Sequence, residues 1–111
     1  EQALAYYEKA LRNNPRDPDG IFDYAATLFD EAMYGESALW FEKFIELRPD
    51  NYEGYYFLAK CLLLLGDKIN PVELLRKALL INPELRADLR KVIKSLPLFF
   101  LYDAFFRKIE E

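Results

Sequence analysis

The stretch ALLINP, residues 78–83, joins an apolar run to an Asn-Pro stop. Alone, the run is too short to choose between helix and strand. Recurrence makes the choice. The same kind of ending stands 34 residues earlier as FIELRP, closing at Pro49, and 34 earlier again as ALRNNP, closing at Pro15. Upstream the three copies stay in register: Tyr6-Tyr7, Trp40-Phe41 and Leu74-Leu75, then Glu8-Lys9, Glu42-Lys43 and Arg76-Lys77, then Ala10-Leu11, Phe44-Ile45 and Ala78-Leu79. Apolar residues within a copy fall three and four apart, as at Ala3, Tyr6, Tyr7, Ala10 and Leu11, which is one face of a helix and excludes strand alternation. A proline lacks the N–H that an inner turn needs and disfavours a helical residue before it. ALLINP therefore ends a helix, and a fixed interval between such endings marks a stacked repeat.

The chain has 111 residues, enough for one domain with a single core. Its 52% hydrophobic and 31% charged content is that of a folding sequence. Cys61 is the sole cysteine, so no intramolecular disulfide can form, and its setting in LAKCLLLLG places the thiol inside. A protein without disulfides can work in any compartment, so the location stays open, with the cytoplasm slightly favoured. No signal peptide is visible, and the chain starts at Glu1 in mid-repeat. The net charge of −4 is unevenly spread: residues 1–55 hold 12 acids and 5 bases, residues 56–111 hold 7 acids and 10 bases. An acidic balance disfavours nonspecific binding to nucleic acid or an anionic membrane.

A 34-residue period, two helices per period and a closing proline resemble the tetratricopeptide repeat. The resemblance implies an all-α fold, an α-solenoid of antiparallel helix pairs with a C-terminal capping helix. On that register residues 1–17 are the second helix of a partial first repeat, 18–51 and 52–85 are full repeats, and 86–111 hold a partial repeat and the cap. The family places small residues where helices cross, and Ala25, Ala59, Ala3, Ser37, Ala10 and Ala78 stand there. Large core positions also match, with Ile21, Tyr24, Leu28, Tyr55, Leu58 and Leu62 on first helices and Tyr7, Phe41 and Leu75 on second ones. Phe44 fills a small position and is expected to wedge its helix pair apart. Pro71 delays a helix to near residue 71, with Asn70 as its cap. Ile93 and Pro97 end the array. In the last segment Leu98, Leu101, Tyr102, Phe105, Phe106 and Ile109 share helical spacing. Phe99 and Phe100 lie off that stripe, and either complete burial or form a self-association surface. The run is about half the ~20 residues of a membrane span and contains Asp103, which excludes one.

Chemistry finds little to work with. Without histidine there is no Ser-His or Cys-His nucleophile, and one cysteine makes no thiolate cluster. Asp17, Asp19, Asp23, Asp30 and Glu31 read as a solvated helix face. No phosphate loop is present. The expectation is a non-enzyme with no cofactor and no metal, whose partner is a protein or peptide, with neither nucleic acid nor membrane. In the family the first helix of each repeat lines a concave groove. The resemblance therefore implies a groove of Asp19, Phe22, Asp23, Ala26, Phe29 and Asp30, then Glu53, Tyr56, Phe57, Lys60, Leu63 and Leu64, then Ala87, Arg90, Lys91 and Lys94. These rings read either as an aromatic floor or as plain interhelix packing. The chaperone-binding branch of the family clamps two carboxylates from positions that here hold Phe22, Ala26, Phe57, Ala87 and Lys91. Phe22 and Ala26 have no side-chain donor, which rejects that clamp. The acidic start of the groove and the 34-residue interval also argue against the related RNA-reading repeats. Homo-oligomer assembly through the first helix and the aromatic last helix is the other reading.

Overall fold

Pro15, Pro49 and Pro83 each stand two residues beyond the last residue of a helix and just before the next, so the repeated stop of the sequence is a repeated bend. The computed structural model describes residues 2–67 and 69–95, and all regular structure in that range is helical. The order is α1 (Gln2–Asn13), α2 (Pro18–Asp30), α3 (Tyr34–Leu47), α4 (Tyr52–Leu64), α5 (Asn70–Ile81) and α6 (Leu85–Ser95). Each packs mainly on its neighbours in sequence, which makes an open stack 44 × 27 × 20 Å across. The expected capping helix, Pro97, Phe99 and Phe100 lie outside the described residues, as does the side chain of Ile93.

Local signals explain the boundaries. Pro18 opens α2 at a position whose N–H would have no helical partner. The Asn51 side chain accepts the Glu53 N–H at 2.9 Å and caps α4. Gly66, at φ 95°, makes the left-handed turn that ends α4, a conformation that costs a side-chain-bearing residue. The helix after it starts at Asn70, close to the expected residue 71, but its cap differs. Asn70 is already helical, and Asp67 does the capping: its carboxylate accepts the N–H groups of Ile69 at 2.9 Å and Asn70 at 3.2 Å, and the Asn70 side-chain amide at 2.8 Å. These bonds hold the Asp67 carboxyl below its usual range.

Ala25, Ser37, Ala59 and Ala78 are sealed at 0% exposure, while Ala3 and Ala10 on α1 are half-buried. Phe41 is also fully buried, and removing such a ring from water contributes roughly 2–3 kcal/mol. Ser37 shows how a hydroxyl is tolerated there. It donates to the Ala25 carbonyl at 2.7 Å and accepts from the Cys61 thiol at 3.4 Å, so α2, α3 and α4 meet in one satisfied polar contact. Cys61 is buried as the sequence implies, and burial pushes its thiol pKa up.

Phe44 is accommodated where a wedge was expected. It is buried on α3, and the residue facing it across the interface is Gly54 of α4. A Cβ on Gly54 would stand 3.0 Å from Phe44 Cδ2 and 2.8 Å from Ile45 Cγ1. Volume added on one helix is thus removed from the next.

Candidate functional site

Many of the residues that the sequence marks for binding lie on α2 and α4, where rings of the two helices meet. Turn spacing along α2 brings Asp19, Phe22, Asp23, Ala26, Phe29 and Asp30 to one face, and the register carries over to Glu53, Phe57, Lys60 and Leu64 on α4. Asp19, Asp23 and Asp30 are exposed, while Phe22, Ala26, Phe29, Glu53, Phe57, Lys60 and Leu64 are half-buried. Ala87, Arg90 and Lys91 on α6 are exposed, and the side chain of Lys94 lies outside the described residues.

Phe57 is the hub of the floor. Its ring stacks on Phe41 at 5.5 Å and meets Phe22 at 5.7 Å, Phe29 at 6.4 Å and Tyr56 at 5.3 Å edge to face. Phe22 is also edge-on to Phe41 at 5.5 Å and to Phe44 at 5.0 Å. Each such pair contributes about 0.5–1.5 kcal/mol beyond its burial, so the floor is rigid. Lys60 lies across it, its Nζ 4.8 Å from the Phe57 centroid and 5.2 Å from those of Phe29 and Tyr56. Burial lowers the Lys60 pKa, against a weaker upward pull from Cys61 and Asp30.

Tyr56 and Leu63 are placed deeper than the groove reading has them. Both are buried, Tyr56 at 9% and Leu63 at 7% exposure. Tyr56 packs with Ala59, Leu75, Ala78 and Leu85, because the next helix pair closes over that side of α4. Burial, and then the negative charge of Asp88, push its phenol pKa up to about 12. The Tyr56 ring backs Phe57 at 5.3 Å. Phe22 reaches Tyr56 only through Phe57.

At the acidic end a recess of about 400 Å³ is lined by Asp19, Phe22, Asp23, Phe44, Asn51 and Glu53. Phe44 and Asn51 are absent from the sequence-derived groove. Phe44 belongs to a second helix, and Asn51 is only the last residue of a repeat in the sequence register; its place as the cap of α4 is what brings it to the mouth. A second recess of similar volume lies elsewhere, between α1, α2 and α3, lined by Glu8, Leu11, Arg12, Pro15, Tyr24 and Trp40. There the Tyr24 hydroxyl donates to Glu8 at 3.2 Å, its ring meets Trp40 edge-on at 5.0 Å, and Lys43 Nζ sits 4.0 Å over the indole. Among the described residues no His, Cys, Asp or Glu group could hold a metal ion, and no helix is long and apolar enough to cross a membrane.

Residues 52–85 match the tetratricopeptide repeat family model. The chain is 30% identical over 67 residues to the general transcriptional corepressor trfA of Dictyostelium discoideum, a stretch covering 60% of this chain and 5% of that protein. It shares its fold with two crystal structures of MamA, each at a TM-score of 0.74. The first is 19% identical, with 96% of this chain and 64% of that one covered; the second is 20% identical, with 96% and 60% covered. The chain thus spans less than two thirds of the length of each of these relatives. The resemblance drawn from the repeated prolines holds, and the architecture is that of an all-α repeat solenoid. Repeat match and fold together support an interaction scaffold in general, a class typically without catalysis.

Proposed function

We propose that this tetratricopeptide-repeat array holds a segment of a partner protein against the face of α2, α4 and α6. The observation that carries the reading is the floor itself: half-buried Phe22, Phe29 and Phe57 keep ring surface toward solvent while fixed from behind by Phe41, Phe44 and Tyr56. A rigid aromatic surface gives contact area at low entropic cost, since little is left to order on binding. Charge would orient the segment, with Asp19, Asp23 and Glu53 at one end and Lys91 at the other. The relationship to a corepressor and to MamA is compatible with a partner-holding role and names no partner.

The test reverses charge at the acidic recess without touching the core. Asp23→Lys with Glu53→Lys is compared with the unaltered chain in affinity capture from the source cell, with helicity and melting measured alongside. Loss of the main captured protein with the fold intact is the expected result. An unchanged capture profile retires the groove.

Self-association is the second reading, favoured by Tyr6, which stands 69% exposed on α1. Light scattering across concentration and salt checks it, and a strict monomer at high concentration removes it.

A further inference from the structure

Lys60 is set among rings from two helices. Its ammonium lies over Phe57 and Tyr56 of its own helix and over Phe29 of α2, and the side chain is half-buried. Among the described residues no carboxylate stands within the 4.0 Å of a salt bridge to it. An ammonium is strongly hydrated, and ring faces replace only part of the water it loses. Its lowered pKa has the same origin. The folded chain has therefore already met much of the desolvation cost that an ion pair at a protein interface normally incurs on binding.

Its surroundings limit what can complete it. Phe57, Ala26 and Phe22 offer no side-chain donor, so a group needing several donors, such as a chain-terminal carboxylate with its amide, is not served there. One ammonium suits one side-chain carboxylate. The Phe29 and Phe57 rings beside it suit an apolar neighbour of that carboxylate. Asp19, Asp23 and Glu53 lie toward the recess, and exposed Asp30 at the end of α2 is close enough to act on Lys60, while α6 presents exposed Lys91, so a partner's acidic residue is favoured from Lys60 toward α6 and opposed toward α2 and the recess.

We propose that Lys60, ringed by Phe29, Tyr56 and Phe57, anchors an aspartate or glutamate side chain in the interior of a partner segment, with an adjacent apolar residue covering Phe29. The inference rests on the groove reading above and adds the partner's chemistry to it.

The probe is a random dodecapeptide library displayed at the amino end of a phage coat protein, where peptides have no free carboxyl terminus. It is selected in parallel on the unaltered chain and on the Lys60→Gln, Lys60→Arg and Asp23→Lys/Glu53→Lys variants, each first checked for unchanged helicity and melting. The unaltered chain is expected to enrich peptides with Asp or Glu next to an apolar residue in one register. A synthetic peptide from that set should bind about tenfold more weakly to Lys60→Gln, and its Glu→Gln counterpart should lose as much on the unaltered chain. Lys60→Arg, which keeps the charge, should recover most of the affinity. Peptides that depend on Asp23 and Glu53 yet carry no acidic preference, or ignore Lys60→Gln, overturn this inference and leave the groove standing. Enrichment of nothing, or only of peptides indifferent to all the variants, overturns both.

Discussion

Gly54→Ala is the sharpest probe of how this array accommodates a large residue at a small position. The added methyl would lie 2.8 Å from Ile45 Cγ1 and 3.0 Å from Phe44 Cδ2. Both contacts are too short, and neither neighbour can retreat easily, because Phe44 is buried against Phe22 at 5.0 Å and Ile45 packs between α3 and α4. Overpacking of this kind costs about 1–3 kcal/mol. Against it stands the helix propensity of alanine over glycine, at most about 1 kcal/mol in a helix interior and less here, because Gly54 lies in the first turn of α4. The balance is a loss of about 1–2 kcal/mol, or a fall in Tm of several degrees. Ile45→Ala removes the closest atom, so in that background Gly54→Ala should cost less than about 0.5 kcal/mol, a coupling of about 1–2 kcal/mol between the two sites. Urea unfolding of the four proteins, followed by helical circular dichroism and by the fluorescence of the single tryptophan, Trp40, measures the cycle. Stabilisation by Gly54→Ala would refute the claim that Phe44 depends on the missing side chain, and costs that simply add would refute the share assigned to Ile45.

Three further outcomes follow from the buried groups. Ser37→Ala should cost about 1–2 kcal/mol by breaking the contact that joins Ala25, Ser37 and Cys61, and a loss below about 0.3 kcal/mol would show that contact to be idle. Tyr56, raised from 10.0 to about 12, holds its proton more tightly folded than unfolded. Its contribution is complete below pH 10 and is lost between pH 10 and about 12, at up to roughly 1.4 kcal/mol per pH unit. Tyr56→Phe should flatten that part of the stability profile, and an unchanged slope contradicts the burial argument. Cys61, with 0% exposure and a raised thiol pKa, should react with a disulfide reagent only as fast as the array opens, so labelling should quicken with urea; full labelling of the native protein at the rate of a free thiol sinks this.

The fold could be read from the chain because its determinants are local and repeated. A helix stop recurring at Pro15, Pro49 and Pro83, with alanines between at fixed offsets, needs no knowledge of distant contacts. What escaped the reading depends on pairs that no single helix displays. Gly54 looks like any glycine near a helix start until Phe44 is seen opposite. Asn70 has the residue type of a cap, but Asp67 lies where its carboxylate reaches two free N–H groups of the turn. Tyr56 falls on the groove stripe of α4, yet the following helix pair covers it, and how far α5 and α6 reach over α4 is a property of the stack.

Comparing the helices at the 34-residue interval separates what builds the array from what individualises it. Tyr24 and Leu58, like Ala25 and Ala59, exchange only among apolar types, and all four are buried. Asp23 faces Phe57 in this alignment, Ala26 faces Lys60, and Asp30 faces Leu64, and none of these six is buried. Stacking restricts a position only where the next helix presses on it, so polarity is free to differ where it does not. Charge changes from one copy to the next on the second helices as well, as at Glu8, Glu42 and Arg76 or at Arg12, Glu46 and Leu80; what sets the face of α2 and α4 apart is that one of its changes, Ala26 to Lys60, brings a cation onto an aromatic floor. Exchanging Ala26 and Lys60 between the two helices tests this directly: stability should change by less than about 1 kcal/mol at such half-buried sites, while the peptides selected by the groove should shift their acidic residue toward α2. A large loss of stability without a shift in peptide register would mean that Lys60 is there for packing.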